Sequence, residues 1–79
     1  MSPGIGLMKR RLETEESAVS LAVSGITKKF KVHTNSIQNL ETKYDDDSGD
    51  WYVALGWKAK KAVIRMDSVQ AKILEINEI

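Results

Sequence analysis

The chain holds one histidine, His33, and no cysteine among its 79 residues. A histidine acts as a general acid or base only when a nucleophile or a second acid lies within hydrogen-bond reach, and no spacing in the sequence supplies one. The absence of cysteine excludes disulfides, thiol catalysis and zinc–thiolate sites. Gly4-Ile5-Gly6 lacks the preceding strand and the third glycine of a phosphate-binding loop. We therefore expect a protein that is not an enzyme and that binds no cofactor.

The acidic run Asp45–Asp50 suggests a calcium loop. The sixth position of an EF-hand loop is glycine, and the twelfth is a glutamate that holds the ion with both oxygens. Counted from Asp45, these two positions are Asp50 and Gly56, so the pattern fails. The run combines aspartates, a serine and a glycine, which is typical of a solvated turn. We expect a turn between two strands and no specific metal site.

Lysines form two short clusters, one of them beside an aromatic strand. They are Lys28, Lys29 and Lys31, and Lys58, Lys60 and Lys61. Lysines next to aromatic residues bind single-stranded nucleic acid through phosphate contacts and base stacking. The net charge is only +1, however, so no field of the whole molecule favours a polyanion. Nucleic-acid binding through these lysines is therefore the alternative function rather than the first one.

A helix is predicted from Thr14 to Phe30. Thr14 is a suitable N-cap, and Glu15 and Glu16 follow in the first turn, where the helix dipole favours acids. Apolar residues then recur at the spacing of one buried helical face. They are Ala18, Val19, Ala22, Val23, Ile26 and Phe30.

Four strands are predicted after the helix. In the first, Leu40, Thr42 and Tyr44 alternate with charged residues and are expected to share one face. The others are Trp51–Trp57, Ala62–Asp67 and Lys72–Asn77, joined by polar turns at residues 45–50, 58–61 and 67–71. In the second strand, the odd positions are expected to face the helix; they are Trp51, Val53, Leu55 and Trp57.

These elements predict an α+β fold in which one N-terminal helix packs on a four-stranded antiparallel meander. A chain of 79 residues accommodates a single domain, which we expect over residues 13–79 after a flexible tail at residues 1–12. Met8 is an alternative start, since residues 1–7 have the composition of a loose tail. No signal peptide and no apolar run of about 20 residues is apparent, so we expect a cytoplasmic protein without a membrane partner.

The stretch from the second strand to the fourth carries a pattern of its own. Trp51–Leu55 is rich in aromatic and apolar residues, and Val63–Leu74 reads VIRMDSVQAKIL. This arrangement resembles PepSY domains, in which a strand ends in Asp and a short turn leads to a strand that begins with Ile or Val followed by Leu. Asp67 matches that Asp, Ser68 the small residue after it, and Ile73-Leu74 the start of the next strand.

The resemblance to PepSY domains covers about Ala18 to Ile76, with one departure. Gln70-Ala71 stands where that family usually has Thr-Gly, and alanine tolerates the left-handed backbone conformation less well than glycine. PepSY domains are usually extracytoplasmic and often accompany peptidases, for which an inhibitory role has been proposed. The residues GDWYV at Gly49–Val53 are similar, more weakly, to a strand of gas-vesicle accessory proteins.

A protein-binding surface is expected on the sheet, because one helix covers only one of its two faces. Tyr52, Ala54 and Gly56 offer a flat, uncharged strip on the other face. Ile73 and Glu75 mark the fourth strand, an edge strand with apolar residues on both faces and no proline. The sequence thus predicts a small binding or regulatory module that forms a two-fold homodimer or takes up an extended peptide of a protein partner.

Overall fold

The computed structural model describes residues 11–79. Its helices and strands are α1 Glu15–Phe30, a short 3₁₀ turn Thr34–Ser36, β1 Ile37–Asp45, β2 Asp50–Trp57, β3 Lys60–Asp67 and β4 Lys72–Glu78. The strands form an antiparallel sheet in the order β1-β2-β3-β4, and α1 packs on one of its faces. The predicted α+β fold, one helix on a four-stranded antiparallel meander, is confirmed.

The ends of α1 lie where the sequence signals place them. The Ser17 backbone N–H donates to the Thr14 hydroxyl oxygen at 3.1 Å, which satisfies one of the free donors of the first turn. At the other end Lys31 takes a left-handed conformation, with φ of 57°, and stops the helix. Both predicted ends of the helix are confirmed.

The core lies between α1 and the two central strands. From the helix it takes mainly small side chains, and from β2 and β3 it takes large ones. The buried members are Leu12, Ala18, Ala22, Ile26, Trp51, Val53, Leu55, Trp57, Ala62, Ile64 and Met66. The predicted inward face of β2 is confirmed. Val19, Val23 and Phe30, which belong to the predicted apolar face of the helix, are partly buried and pack against the core.

The helix lies close to β4 at Gly25. A Cβ on Gly25 would collide with the Cδ1 atom of Ile73, and Ile76 Cδ1 would be 3.7 Å from it. Glycine is therefore required here to let the strand approach, which offsets the helix propensity that it loses relative to alanine. Ile73 and Ile76 consequently belong to the helix-facing side of the sheet.

Both edge strands contain a β-bulge. In β1 the register with β2 shifts between Asn39 and Glu41, which leaves Leu40 without a partner. The extra residue moves Leu40 to the face away from the helix, where its Cδ1 lies 3.2 Å from the position that a Cβ of Gly56 would take. The prediction that Leu40 shares a face with Thr42 and Tyr44 is therefore wrong. In β4 the register with β3 shifts in the same way at Leu74.

The segment before α1 packs on the sheet. The backbone N–H groups of Arg11 and Leu12 both donate to the Ser68 carbonyl at 2.9 Å. The Trp51 indole N–H donates to the Leu12 carbonyl at 2.9 Å, and Leu12 is only 6% exposed. Residues 1–10 of the predicted tail lie outside the described residues. Arg11 and Leu12, which the sequence assigns to that tail, are part of the domain.

The hairpin between β3 and β4 closes with a left-handed alanine. The Ala71 N–H donates to the Asp67 carbonyl at 2.9 Å, and Ala71 has a φ of 55°. Alanine thus adopts a left-handed conformation that glycine takes more readily, at a cost of about 1 kcal/mol. The preceding turn is shorter than expected, because Lys60 and Lys61 belong to β3 and only Lys58 and Ala59 connect it to β2.

Ala71→Gly is expected to raise the free energy of unfolding by about 0.5–1 kcal/mol. Glycine removes the strain at positive φ, and the gain is reduced by the greater freedom of glycine in the unfolded chain. Urea denaturation measures the change. Gly49→Ala is the matched control, because Gly49 has a φ of 75° and a Cβ there has room, 3.9 Å from its nearest neighbours. The free energy of unfolding of Gly49→Ala is expected to fall by about 1 kcal/mol. A lower free energy of unfolding for Ala71→Gly would contradict the prediction.

Candidate interaction surfaces

The face of the sheet away from α1, called the outer face below, is built from two rows of directly paired residues. The tyrosine row consists of Lys43, Tyr52, Arg65 and Glu75. The alanine row consists of Glu41, Ala54, Val63 and Asn77. Each row crosses all four strands, and the two rows are adjacent because their members lie two residues apart along each strand.

Arg65 is the polar centre of the tyrosine row. Its Nε atom lies 3.3 Å from Glu75 Oε1 and 3.9 Å from Asp50 Oδ2. Nε is buried and makes no hydrogen bond of good geometry within residues 11–79, so its attraction to these carboxylates is electrostatic. A side-chain hydrogen bond with Tyr52 raises the pKa of Arg65; burial lowers this pKa, and the two carboxylates raise it further. The Arg65 charge is therefore already engaged within the molecule.

The centre of the outer face is apolar. Tyr52, Ala54, Gly56 and Val63 are half-buried there, and Leu40 covers Gly56 while remaining 48% exposed. An open groove of about 700 Å³ extends from this centre along β1 to the turn at residues 45–47. Its other lining residues are Glu41, Lys43, Tyr44, Tyr52, Ala54 and Val63. The predicted strip of Tyr52, Ala54 and Gly56 is confirmed to lie on this face. The sequence analysis does not assign Val63 to this surface, although its alternation with the buried Ile64 indicates that it faces outward. Leu40 is also absent from the predicted surface, because the bulge changes the face on which it lies.

The two residues predicted from β4 lie on opposite sides of the sheet. Ile73 faces Gly25 of the helix and packs, half-buried, against the core, so it does not lie on the outer face with the other candidates. Glu75 lies on the outer face, beside Arg65. The bulges at Leu40 and Leu74 twist both edge strands, which is a common way to block pairing with another strand. The outer face is therefore a better candidate surface than either edge.

The two lysine clusters lie at the same end of the domain, called the lysine end. The Phe30 and Trp57 rings, 5.0 Å apart, bring the end of α1 to the turn between β2 and β3. Lys29 Nζ and Lys60 Nζ each lie 5.9 Å from the centre of the Phe30 ring. The lysine end comprises Lys28, Lys29, Lys31, Lys58, Lys60 and Lys61. Trp57 is only 3% exposed, so it offers no ring on which a base could stack.

Carboxylates gather at the opposite end, called the acidic end. Asp45, Asp50 and Asp67 are paired across β1, β2 and β3, and the hydrogen bond from Trp51 to Leu12 brings the start of α1 to the same place. Asp45 Oδ1 accepts from the Asp47 N–H at 3.0 Å, and Asp67 Oδ1 accepts from the Val69 N–H at 2.9 Å. These carboxylates therefore close turns. In the part of the chain that the structure describes, no group of three or more acids or histidines is arranged to hold a metal ion.

His33 lies on an exposed loop after the helix. Its carbonyl accepts a hydrogen bond from the Ser36 N–H at 3.0 Å, which forms the 3₁₀ turn. This role uses only the backbone of His33, so the imidazole is not required for the fold.

Comparisons of the chain with protein-family models, with curated proteins and with solved structures find no match. The resemblance to PepSY domains and the weaker similarity to gas-vesicle accessory proteins therefore stay predictions. From Arg11 to Ile79, no helix is long and apolar enough to cross a membrane.

Proposed function

We propose that this protein is a non-enzymatic binding module whose outer face contacts another protein surface, in the first place a second copy of the chain. The observation that carries the proposal is the half-buried apolar centre formed by Tyr52, Ala54 and Val63, on a face that α1 leaves uncovered. Apolar patches rimmed by charges are typical of protein interfaces. The proposal places the module in the cytoplasm, the compartment expected from the sequence.

The rim of this face also supports self-association. Lys43 and Glu41 flank the apolar centre on β1, and neither makes an ion pair among the residues that the structure describes. A positive and a negative charge exposed on one face are complementary to a partner that places a negative charge over Lys43 and a positive charge over Glu41. A second copy of the chain does so by symmetry.

Ala54→Arg tests the proposal, because it places a long charged side chain at the centre of the outer face. The wild-type chain is expected to form dimers in sedimentation experiments between about 10 and about 500 μM, and Ala54→Arg is expected to remain monomeric. Ser20→Arg, at an exposed position of α1, is the matched control and should dimerise like the wild type. A wild-type chain that stays monomeric throughout this range would overturn the proposal.

A second candidate function is the binding of a polyanion such as single-stranded nucleic acid. The observation that favours it is the convergence of the two lysine clusters around Phe30. Binding of a labelled oligonucleotide should then weaken as salt rises, because bound lysines release counterions from the phosphates. Lys29→Glu combined with Lys58→Glu should abolish this binding. Arg11→Glu combined with Lys72→Glu, at two exposed positions outside the proposed dimer contacts, should preserve most of it. Equal losses in the two double variants would argue against a site at the lysine end.

A further inference from the structure

The pairing of the strands determines how two outer faces can be stacked. When the strands of the two stacked sheets are roughly aligned, a two-fold axis between the faces runs nearly parallel or nearly perpendicular to the strands. A parallel axis midway between β2 and β3 places like ends together and sets Asp50 over Asp67 of the second copy. A perpendicular axis places the acidic end of one copy over the lysine end of the other. The parallel axis would also set Lys43 over Glu75. The complementarity of the two ends nevertheless favours the perpendicular axis.

The perpendicular axis also produces a specific register. Suppose that the axis passes between the tyrosine row and the alanine row. Each strand then lies over the same strand of the second copy, running in the opposite direction. A residue of the tyrosine row therefore faces the alanine-row residue of the same strand in the second copy. Lys43 then lies over Glu41, Tyr52 over Ala54, and Arg65 over Val63. The large ring of Tyr52 meets a small side chain, and the two unpaired charges of β1 meet their opposites. Farther out, Asp67 lies over Lys61.

We propose that two copies of the chain pack outer face to outer face about a two-fold axis perpendicular to the strands, with Lys43 of each copy paired to Glu41 of the other. This inference rests on the proposed function and adds to it the symmetry and the contacts of the dimer. Stacked sheets pack about 10 Å apart with their strands within about 30° of alignment, an arrangement that this axis permits.

The size of the face limits the strength of the dimer. Four strands about 4.8 Å apart and seven to nine residues long present roughly 500 Å² per copy. The total of about 1,000 Å² belongs to the class of weak, reversible interfaces. We therefore expect a monomer–dimer equilibrium in the micromolar range or weaker, in which a single charge reversal has a measurable effect.

Charge exchange between residues 41 and 43 tests the register. Lys43→Glu alone and Glu41→Lys alone each place like charges at both symmetric contacts, and each is expected to raise the dimer Kd at least tenfold in sedimentation equilibrium. An equal mixture of the two single variants restores opposite charges and should form heterodimers. The double variant K43E/E41K should also recover the wild-type Kd, because each contact again joins Glu to Lys. Gln70→Glu, on an exposed turn outside the two rows, should leave the Kd unchanged.

The double variant also distinguishes the two axes. With a parallel axis, residue 43 lies over Glu75 of the second copy, so K43E/E41K would stay as weak as K43E. That result, or a Kd that does not respond to either single reversal, would overturn the proposed register while leaving a dimer in place. A wild-type chain without any dimer would instead remove the proposed function itself. Both positions are exposed, so at a protein concentration well below the wild-type dimer Kd the midpoint of urea unfolding should be unchanged in every variant. This shows that a lost dimer is not a lost fold.

Discussion

Leu55→Ala is expected to lower the free energy of unfolding by about 3–4 kcal/mol, because it removes a fully buried side chain from the centre of β2 and leaves a cavity against α1. A domain of this size has a total stability of only about 4–12 kcal/mol. The variant should therefore be close to unfolding at room temperature. Urea denaturation followed by far-ultraviolet circular dichroism measures the loss.

Leu40→Ala is the matched control for this prediction. It removes the same atoms from a leucine that is 48% exposed, whereas Leu55 is 0% exposed. Because Leu40 only covers Gly56 on the outer face, its loss is expected to cost less than about 1 kcal/mol. Both variants should be compared at low protein concentration, since dimerisation would add to the apparent stability. Similar losses at the two positions would contradict the assignment of the two faces of the sheet.

Leu12→Ala is expected to lower the free energy of unfolding by about 2–3 kcal/mol. This loss is large for a residue that lies before the helix and that the sequence analysis assigns to a flexible tail. Its side chain is buried in the core, and truncation of such a side chain costs this much elsewhere. The same denaturation experiment measures the change. The fluorescence of Trp51, read in a Trp57→Phe background, should shift to longer wavelength as the indole loses its neighbour.

Arg11→Ala provides the control for Leu12→Ala. Arg11 makes the same kind of backbone contact with Ser68, but its side chain is exposed. Its replacement should change the free energy of unfolding by less than about 0.5 kcal/mol. A Leu12→Ala variant as stable as Arg11→Ala would show that the segment before α1 is a tail after all.

The features that could be predicted from the sequence are those with local causes. The cap at Thr14 and the apolar period after it define α1 within a few residues. In β2, the alternation of large apolar and small residues identifies the inward face, because that strand is paired on both sides and contains no bulge. The same alternation predicts that Tyr52 and Ala54 lie on the outer face.

The features that could not be predicted depend on a partner distant in the sequence. The bulge at Leu40 arises from the register with β2, and one extra residue reverses the alternation of everything before it. Ile73 packs against the core because Gly25 lets α1 approach β4. Leu12 joins the domain through the Trp51 indole N–H. The residues next to these positions in the sequence give no indication of these contacts.

The excess of acids at one end of the domain and of lysines at the other has a consequence for its motion in solution, although Lys72 pairs with Asp67 at the acidic end and Glu78 with Lys60 at the lysine end. With a net charge of only +1, the protein experiences almost no net force in the field of a charged partner. Opposite charges at its two ends nevertheless form a dipole, on which that field exerts a torque. The molecule should therefore rotate as it approaches a polyanion or a second copy, so that it arrives already oriented. At physiological salt the field decays over about 8 Å, which is shorter than the strands. The alignment would then act only in the last moments before contact, and it would raise the fraction of encounters that are productive rather than their number.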